Sequence, residues 1–72
     1  MHILGAVSDV YKGDRVRVTG ALIGGPDVGT EGTVTWVNYG MLGTQVGVNW
    51  DNGDFTLLLT DDPYTVIEEG AA

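Results

Sequence analysis

The sequence contains no cysteine, which excludes disulfide bonds, thiolate nucleophiles and zinc sites built on sulfur. Its only histidine is His2 and its only serine is Ser8, so a triad of serine, histidine and aspartate is not available. No apolar run approaches the ~18 residues needed to span a bilayer, and the N-terminus lacks the basic start and long apolar centre of a signal peptide. We therefore expect no membrane partner and a cytoplasmic location.

Basic residues are also scarce, since three of them stand against ten acidic residues and give a formal net charge of −7. This charge repels phosphate backbones and argues against nucleic acid as a partner. All three cations, Lys12, Arg15 and Arg17, lie within KGDRVR at 12–17. They either cover the solvent face of one strand or form a small basic patch on an acidic body.

Paired carboxylates are the remaining candidates for catalysis or metal binding: Asp51 with Asp54, and Asp61 with Asp62. Both pairs flank predicted turns, where water screens them and does not favour acid and base chemistry. A calcium loop of the EF-hand type would need an oxygen ligand where Trp50 stands. We therefore predict no catalytic residue, no metal site, no cofactor and no enzymatic activity.

The residues that are abundant indicate an all-β domain. Twelve glycines and short β-branched runs at regular spacing are typical of strands joined by tight turns. In the strand predicted from Asp14 to Thr19, valines alternate with arginines, which places Val16 and Val18 inward.

Four further segments complete the pattern. The glycine-rich stretches 20–30 and 38–43 predict loops, and 64–67 predicts a short closing strand. In the strand predicted at 31–38, Trp36 faces inward, and a bulge near it would turn Val37 inward as well.

The stretch VGVNWDNGDFTLLL at 46–59 predicts a hairpin. A two-residue type I′ turn at Asn52-Gly53 sets a register that brings three apolar pairs onto one face: Trp50 with Phe55, Val48 with Leu57, and Val46 with Leu59. A slip of one residue would turn half of these side chains to solvent. We therefore expect this hairpin to organise the core.

Three motifs together resemble a family of short SH3-like β-barrel proteins of unknown function from bacteriophages and actinobacterial genomes: KGDRVRV at 12–18, GTEGTVTWV at 29–37 and VGVNWDNGDFTLLL at 46–59. The closing family pattern D-x-[FY]-x-V-I matches residues 62–67. Family members often carry Asp-Pro-Tyr in the first loop, whereas here it lies at 62–64. More distant similarities are to KOW motifs, which bind RNA or polymerase, and to the peptide-binding domain of mind-bomb-type ubiquitin ligases.

The resemblance implies a small SH3-like five-stranded antiparallel barrel over residues 12–67. Residues 1–11 form an extra apolar N-terminal segment that we expect to pack on the barrel or on a neighbouring chain. Residues 68–72 are polar and small, and we expect them to fray.

Large apolar side chains in the two predicted loops are the candidate protein-binding residues: Leu22, Ile23, Tyr39, Met41 and Leu42. Polar residues would suffice to connect strands, so these side chains either contact a partner or plug the open end of the barrel. The leading hypothesis is a non-enzymatic, phage-encoded module that binds a host or viral protein in the host cytoplasm. The alternatives are a virion or assembly component that self-associates or docks through its N-terminal segment, and a KOW-like nucleic-acid or ribosome-associated module.

Overall fold

The computed structural model describes residues 10–40, 43–59 and 61–70. It contains five strands: β1 (Arg15–Val18), β2 (Glu31–Gly40), β3 (Gly43–Trp50), β4 (Phe55–Leu59) and β5 (Tyr64–Glu68). Each strand from β1 to β4 pairs antiparallel with the next, and β5 returns to pair with β1, so the order in the single sheet is β4-β3-β2-β1-β5. The predicted all-β, five-stranded antiparallel fold is confirmed, and the sheet is consistent with a small SH3-like barrel.

The core is built mainly from valines on the inner face of the sheet. Val16 and Val18 are fully buried, as the alternation with arginine predicts. The buried cluster comprises Val10, Val16, Val18, Val34, Val46, Val48, Trp50 and Leu58. Since Val10 belongs to this cluster, the described end of the N-terminal segment packs on the barrel; residues 1–9 lie outside the described ranges.

The bulge predicted in β2 is present, but it turns Trp36 outward rather than inward. The register between β2 and β3 shifts between Val34 and Trp36, which leaves Thr35 as the extra residue. Val37 then packs against the core, whereas Trp36 is exposed. The inward orientation predicted for Trp36 is therefore wrong, because the extra residue exchanges the two faces of the strand beyond it.

The loop predicted at 38–43 is much shorter in the structure. β2 continues to Gly40 and β3 begins at Gly43, and these two glycines are paired. Residues 41 and 42, which join the strands, lie outside the described ranges. Asn38, the last residue of the predicted strand, pairs with Gln45, and Tyr39, expected in the loop, is a strand residue that pairs with Thr44.

The hairpin between β3 and β4 forms, but its register differs by one residue from the predicted one. Asn49 pairs with Phe55, and the Gly53 amide donates to the Trp50 carbonyl at 2.9 Å. Gly53 adopts φ +98°, which fits a three-residue loop that ends in a left-handed glycine. The predicted pairs are therefore wrong, because Asn52-Gly53 belongs to a longer turn than the assumed one.

The two ends of the described chain are joined by one buried carboxylate. Asp14 is buried, and its two oxygens accept hydrogen bonds from the amide of Tyr11 at 2.9 Å and from the amide of Gly70 at 2.7 Å. In the segment 68–72, Glu68 belongs to β5 and Gly70 is held by this bond. Residues 71 and 72 lie outside the described ranges.

Candidate functional site

The shifted hairpin register exposes an apolar surface. Phe55, Leu57 and Leu59 of β4 are 53%, 42% and 51% exposed, while Leu58 between them is fully buried. Because side chains alternate along a strand, the three exposed residues lie on the outer face of the sheet. Trp36, turned outward by the bulge, joins them and is 40% exposed. We call these four residues the outer apolar face.

The position of Trp36 on this face depends on a glycine in the neighbouring strand. Trp36 pairs with Gly47, and a Cβ atom at Gly47 would come within 2.5 Å of the indole Nε1. The indole ring therefore covers Gly47, which is buried although it lies at an outer-face position of β3. On its other side Gly47 pairs with Leu57, so Trp36 and Leu57 flank the same glycine. Thr35 supports the bulge by donating from its hydroxyl to the Gly47 carbonyl at 3.2 Å.

The candidate residues of the first loop have different environments. Leu22 is half-buried and packs against the core, as expected of a side chain that plugs the open end of the barrel. Ile23 is fully exposed at the tip of a tight turn, in which the Gly25 amide donates to the Leu22 carbonyl at 3.1 Å. Ile23 is therefore available for contact.

The candidates of the second loop are only partly described. Tyr39 is exposed, yet its hydroxyl donates to the carbonyl of Val10 at 2.7 Å and so ties β2 to the N-terminal segment. Tyr64 is close to this tyrosine: its own burial, followed by the proximity of Asp62 and Tyr39, raises the pKa of the Tyr64 phenol. Met41 and Leu42 lie outside the described residues.

The two arginines of the candidate basic patch are held in ion pairs. Arg15 makes a bidentate contact with Asp51, at 2.8 and 2.7 Å, and also approaches Glu31 at 3.4 Å. Arg17 donates to the second oxygen of the same glutamate at 2.8 Å. The hydrogen bond to Asp51 is the main cause of a raised pKa of Arg15, and the same bond from the guanidinium lowers the pKa of Asp51 below its usual range. In the described chain, Lys12 is the one cation outside these pairs.

The carboxylates that flank the hairpin turn do not converge. Asp51 is turned toward Arg15, while Asp54 is exposed at the start of β4. Within the described ranges, no group of three or more acidic or histidine side chains is placed to hold a metal ion. The same ranges contain no helix of the length and apolarity required to cross a membrane.

The outer apolar face was missed by sequence reasoning because it depends on register and bulge. One feature of the sequence points to it: the run Phe55-Thr56-Leu57-Leu58-Leu59 has apolar residues at both parities, so either register leaves some of them exposed. Comparison with known proteins gives no match to any family model, curated protein or solved structure.

Proposed function

We propose that the protein is a non-enzymatic protein-interaction module and that its contact surface is the outer apolar face. The observation that carries the proposal is the exposure of four large apolar side chains on two strands that flank β3, Trp36 on β2 and three residues on β4. A small domain with a limited core gains stability by burying such residues, so leaving them in water has a cost that a bound partner would offset. Exposed apolar surface of this kind is typical of binding sites.

The resemblance to small phage and actinobacterial SH3-like proteins supports a phage-encoded protein that acts on a host or viral protein in the host cytoplasm. Ile23 is a second contact in this proposal, since it stands clear of the core. Leu22 and Tyr39 have structural roles instead, because one packs on the core and the other holds Val10.

Nucleic acid is a weaker candidate partner. Arg15 and Arg17 both pair with Glu31, and Arg15 also pairs with Asp51, so the strand that carries these two cations has little charge left to neutralise phosphates. The alternative, a virion or assembly component that self-associates or docks through its N-terminal segment, would in the self-associating case appear as an oligomer in light scattering.

The test compares partner capture from a bacterial host lysate by three proteins: the wild type, a variant with Phe55, Leu57 and Leu59 replaced by threonine, and Ile23→Ser. Threonine keeps β-propensity and removes apolar area, so we expect the triple variant to fold and to lose the captured protein. Circular dichroism and urea denaturation check folding.

If Ile23→Ser abolishes capture of the partner and the triple variant does not, the contact surface lies on the first loop. Capture that no variant alters, or its absence with the wild type, would contradict the proposed surface.

A further inference from the structure

We propose that β4 accepts an extended segment of a partner protein as a sixth, antiparallel strand, and that this segment has apolar residues at alternate positions and a basic residue at each end. The inference rests on the proposed function and assigns an occupant to the outer apolar face. It follows from the backbone groups of β4 that face away from β3, from the absence of proline and charge within the strand, and from the acidic residues at its ends.

The backbone geometry of the hairpin determines which groups of β4 face outward. Among the described strands, β4 lies at an edge of the sheet and pairs with β3 alone. The Trp50 amide donates to the Asp54 carbonyl at 2.8 Å, so this carbonyl faces β3, while the Asp54 amide donates to Asn52 Oδ1. The polar groups of successive residues point to opposite sides of a strand, and the amides and carbonyls of Phe55, Leu57 and Leu59 therefore point away from β3.

Asp62 closes one end of this edge. The Leu59 amide donates to Asp62 Oδ2 at 2.8 Å, and the Leu59 carbonyl accepts from the Asp62 amide at 3.0 Å. Phe55 and Leu57 are left with two donors and two acceptors that no other described residue uses. A short extended segment would satisfy all four groups, which is the basis of strand addition to a sheet edge.

The two edges of the sheet differ in their protection against such pairing. β5, at the opposite edge, is preceded by Pro63 and ends at Glu68, and proline and charged residues discourage the addition of a strand. β4 is preceded by Asp54, but the strand itself has the sequence FTLLL and contains neither proline nor charge. The edge of β4 is therefore the more open of the two to a partner strand.

The side chains of the added strand follow from the register. In an antiparallel pair, residues directly opposite each other project to the same face. Residues opposite Phe55, Leu57 and Leu59 would extend the outer apolar face, so an apolar residue is favoured at every second position. The residues between them would face the other side of the sheet, next to the half-buried Thr56.

Acidic residues on either side of β4 favour basic residues at the two ends of the added segment. Asp54 precedes β4 and Asp61 follows it, both are exposed, and neither takes part in an ion pair among the described residues. A lysine or arginine at each end of the added strand would complement them. A second copy of this chain fits less well, because two-fold pairing of β4 would bring the acidic ends of two chains of charge −7 together.

The probe is a synthetic octapeptide, acetyl-Lys-Thr-Val-Thr-Val-Thr-Val-Lys-amide, titrated into the isotopically labelled full chain and followed by NMR. We expect the amides of Phe55 and Leu57 to shift and to gain protection from exchange. A matched peptide with glutamate at both ends should bind about tenfold more weakly at low salt. Charge reversal by Asp54→Lys and Asp61→Lys together should invert this preference.

Backbone methylation distinguishes strand addition from contact of side chains alone. N-methyl groups on the valines, whose amides would face β4 in an antiparallel pair, should abolish binding, and N-methyl groups on the threonines should leave it intact. Equal binding by both methylated peptides, or no shift at Phe55 and Leu57 up to about 1 mM peptide, would overturn the inference.

Two further outcomes separate the inference from the proposed function. If partner capture depends on the outer apolar face but the octapeptide fails, the sixth strand is refuted and the binding surface remains. A concentration-dependent dimer that Leu57→Lys dissociates would assign the edge to a second copy and overturn the peptide occupant.

Discussion

The register of the β3–β4 hairpin predicts how much each of three adjacent leucines, Leu57, Leu58 and Leu59, contributes to the free energy of unfolding. Leu58 is fully buried, and truncation of a buried leucine to alanine costs about 2–5 kcal/mol because a cavity remains. Leu57 is 42% exposed, so Leu57→Ala should cost only about 1 kcal/mol, roughly half of the transfer free energy of a leucine side chain. The register expected from a two-residue turn reverses this order, since it buries Leu57 and Leu59 and exposes Leu58.

Urea denaturation followed by tryptophan fluorescence gives the free energy of unfolding of each variant. A domain of this size has a total free energy of unfolding of order 5 kcal/mol, so the loss expected for Leu58→Ala is enough to abolish folding. Leu58→Val is the milder variant at the same position, with an expected cost of about 1 kcal/mol. Leu59→Ala serves as a second exposed control. A larger loss for Leu57→Ala or Leu59→Ala than for Leu58→Ala would refute the register and with it the outer apolar face.

Three further predictions concern single residues, Asp51, Asp14 and Gly53. The lowered pKa of Asp51 contributes stability at pH values above its unfolded pKa, and this contribution is lost as the pH falls through the folded value. Asp51→Asn should remove that part of the acid-side pH dependence of the urea midpoint, whereas an unchanged profile would contradict the pairing with Arg15. Asp14→Ala should cost about 2–4 kcal/mol and release the Gly70 amide to rapid hydrogen exchange, because two amides lose a charged acceptor; a protected Gly70 amide would contradict the contact. Gly53→Ala should cost about 1 kcal/mol in urea denaturation because its φ is positive, whereas Gly53→Asn should cost less; equal stability of all three proteins would contradict the three-residue loop.

The parts of the fold that follow from local periodicity could be predicted from the sequence. Val16 and Val18 alternate with charged residues, and only one face of such a strand can enter a core. The bulge in β2 was predictable because the apolar alternation breaks at Val37. Its consequence for Trp36 was not, since the position of the extra residue decides which side chain turns outward.

The outer apolar face could not be predicted because Asn52-Gly53 is compatible with two turns that differ by one residue. The number of apolar cross-strand pairs favours the two-residue turn. However, the run Phe55 to Leu59 supplies apolar side chains to both faces of the strand, so it does not discriminate between the two registers. Long-range packing of Leu58 against the valine core decides the register in the structure. The loop candidates depended on the expectation that apolar side chains in loops are exposed, which holds for Ile23 and only in part for the half-buried Leu22.

The open edge of β4 also bears on the solubility of the protein. An uncharged apolar strand at a sheet edge is a template for aggregation, and flanking charges act as gatekeepers against it. Asp54 and Asp61 stand at its two ends, and Asp62 shortens the stretch that a second chain could pair with. The net charge of −7 adds repulsion between whole molecules, so the protein should remain dispersed at neutral pH and precipitate as the pH approaches its isoelectric point of about 4.1. The acidic composition thus favours solubility in a small domain that leaves an apolar edge strand exposed.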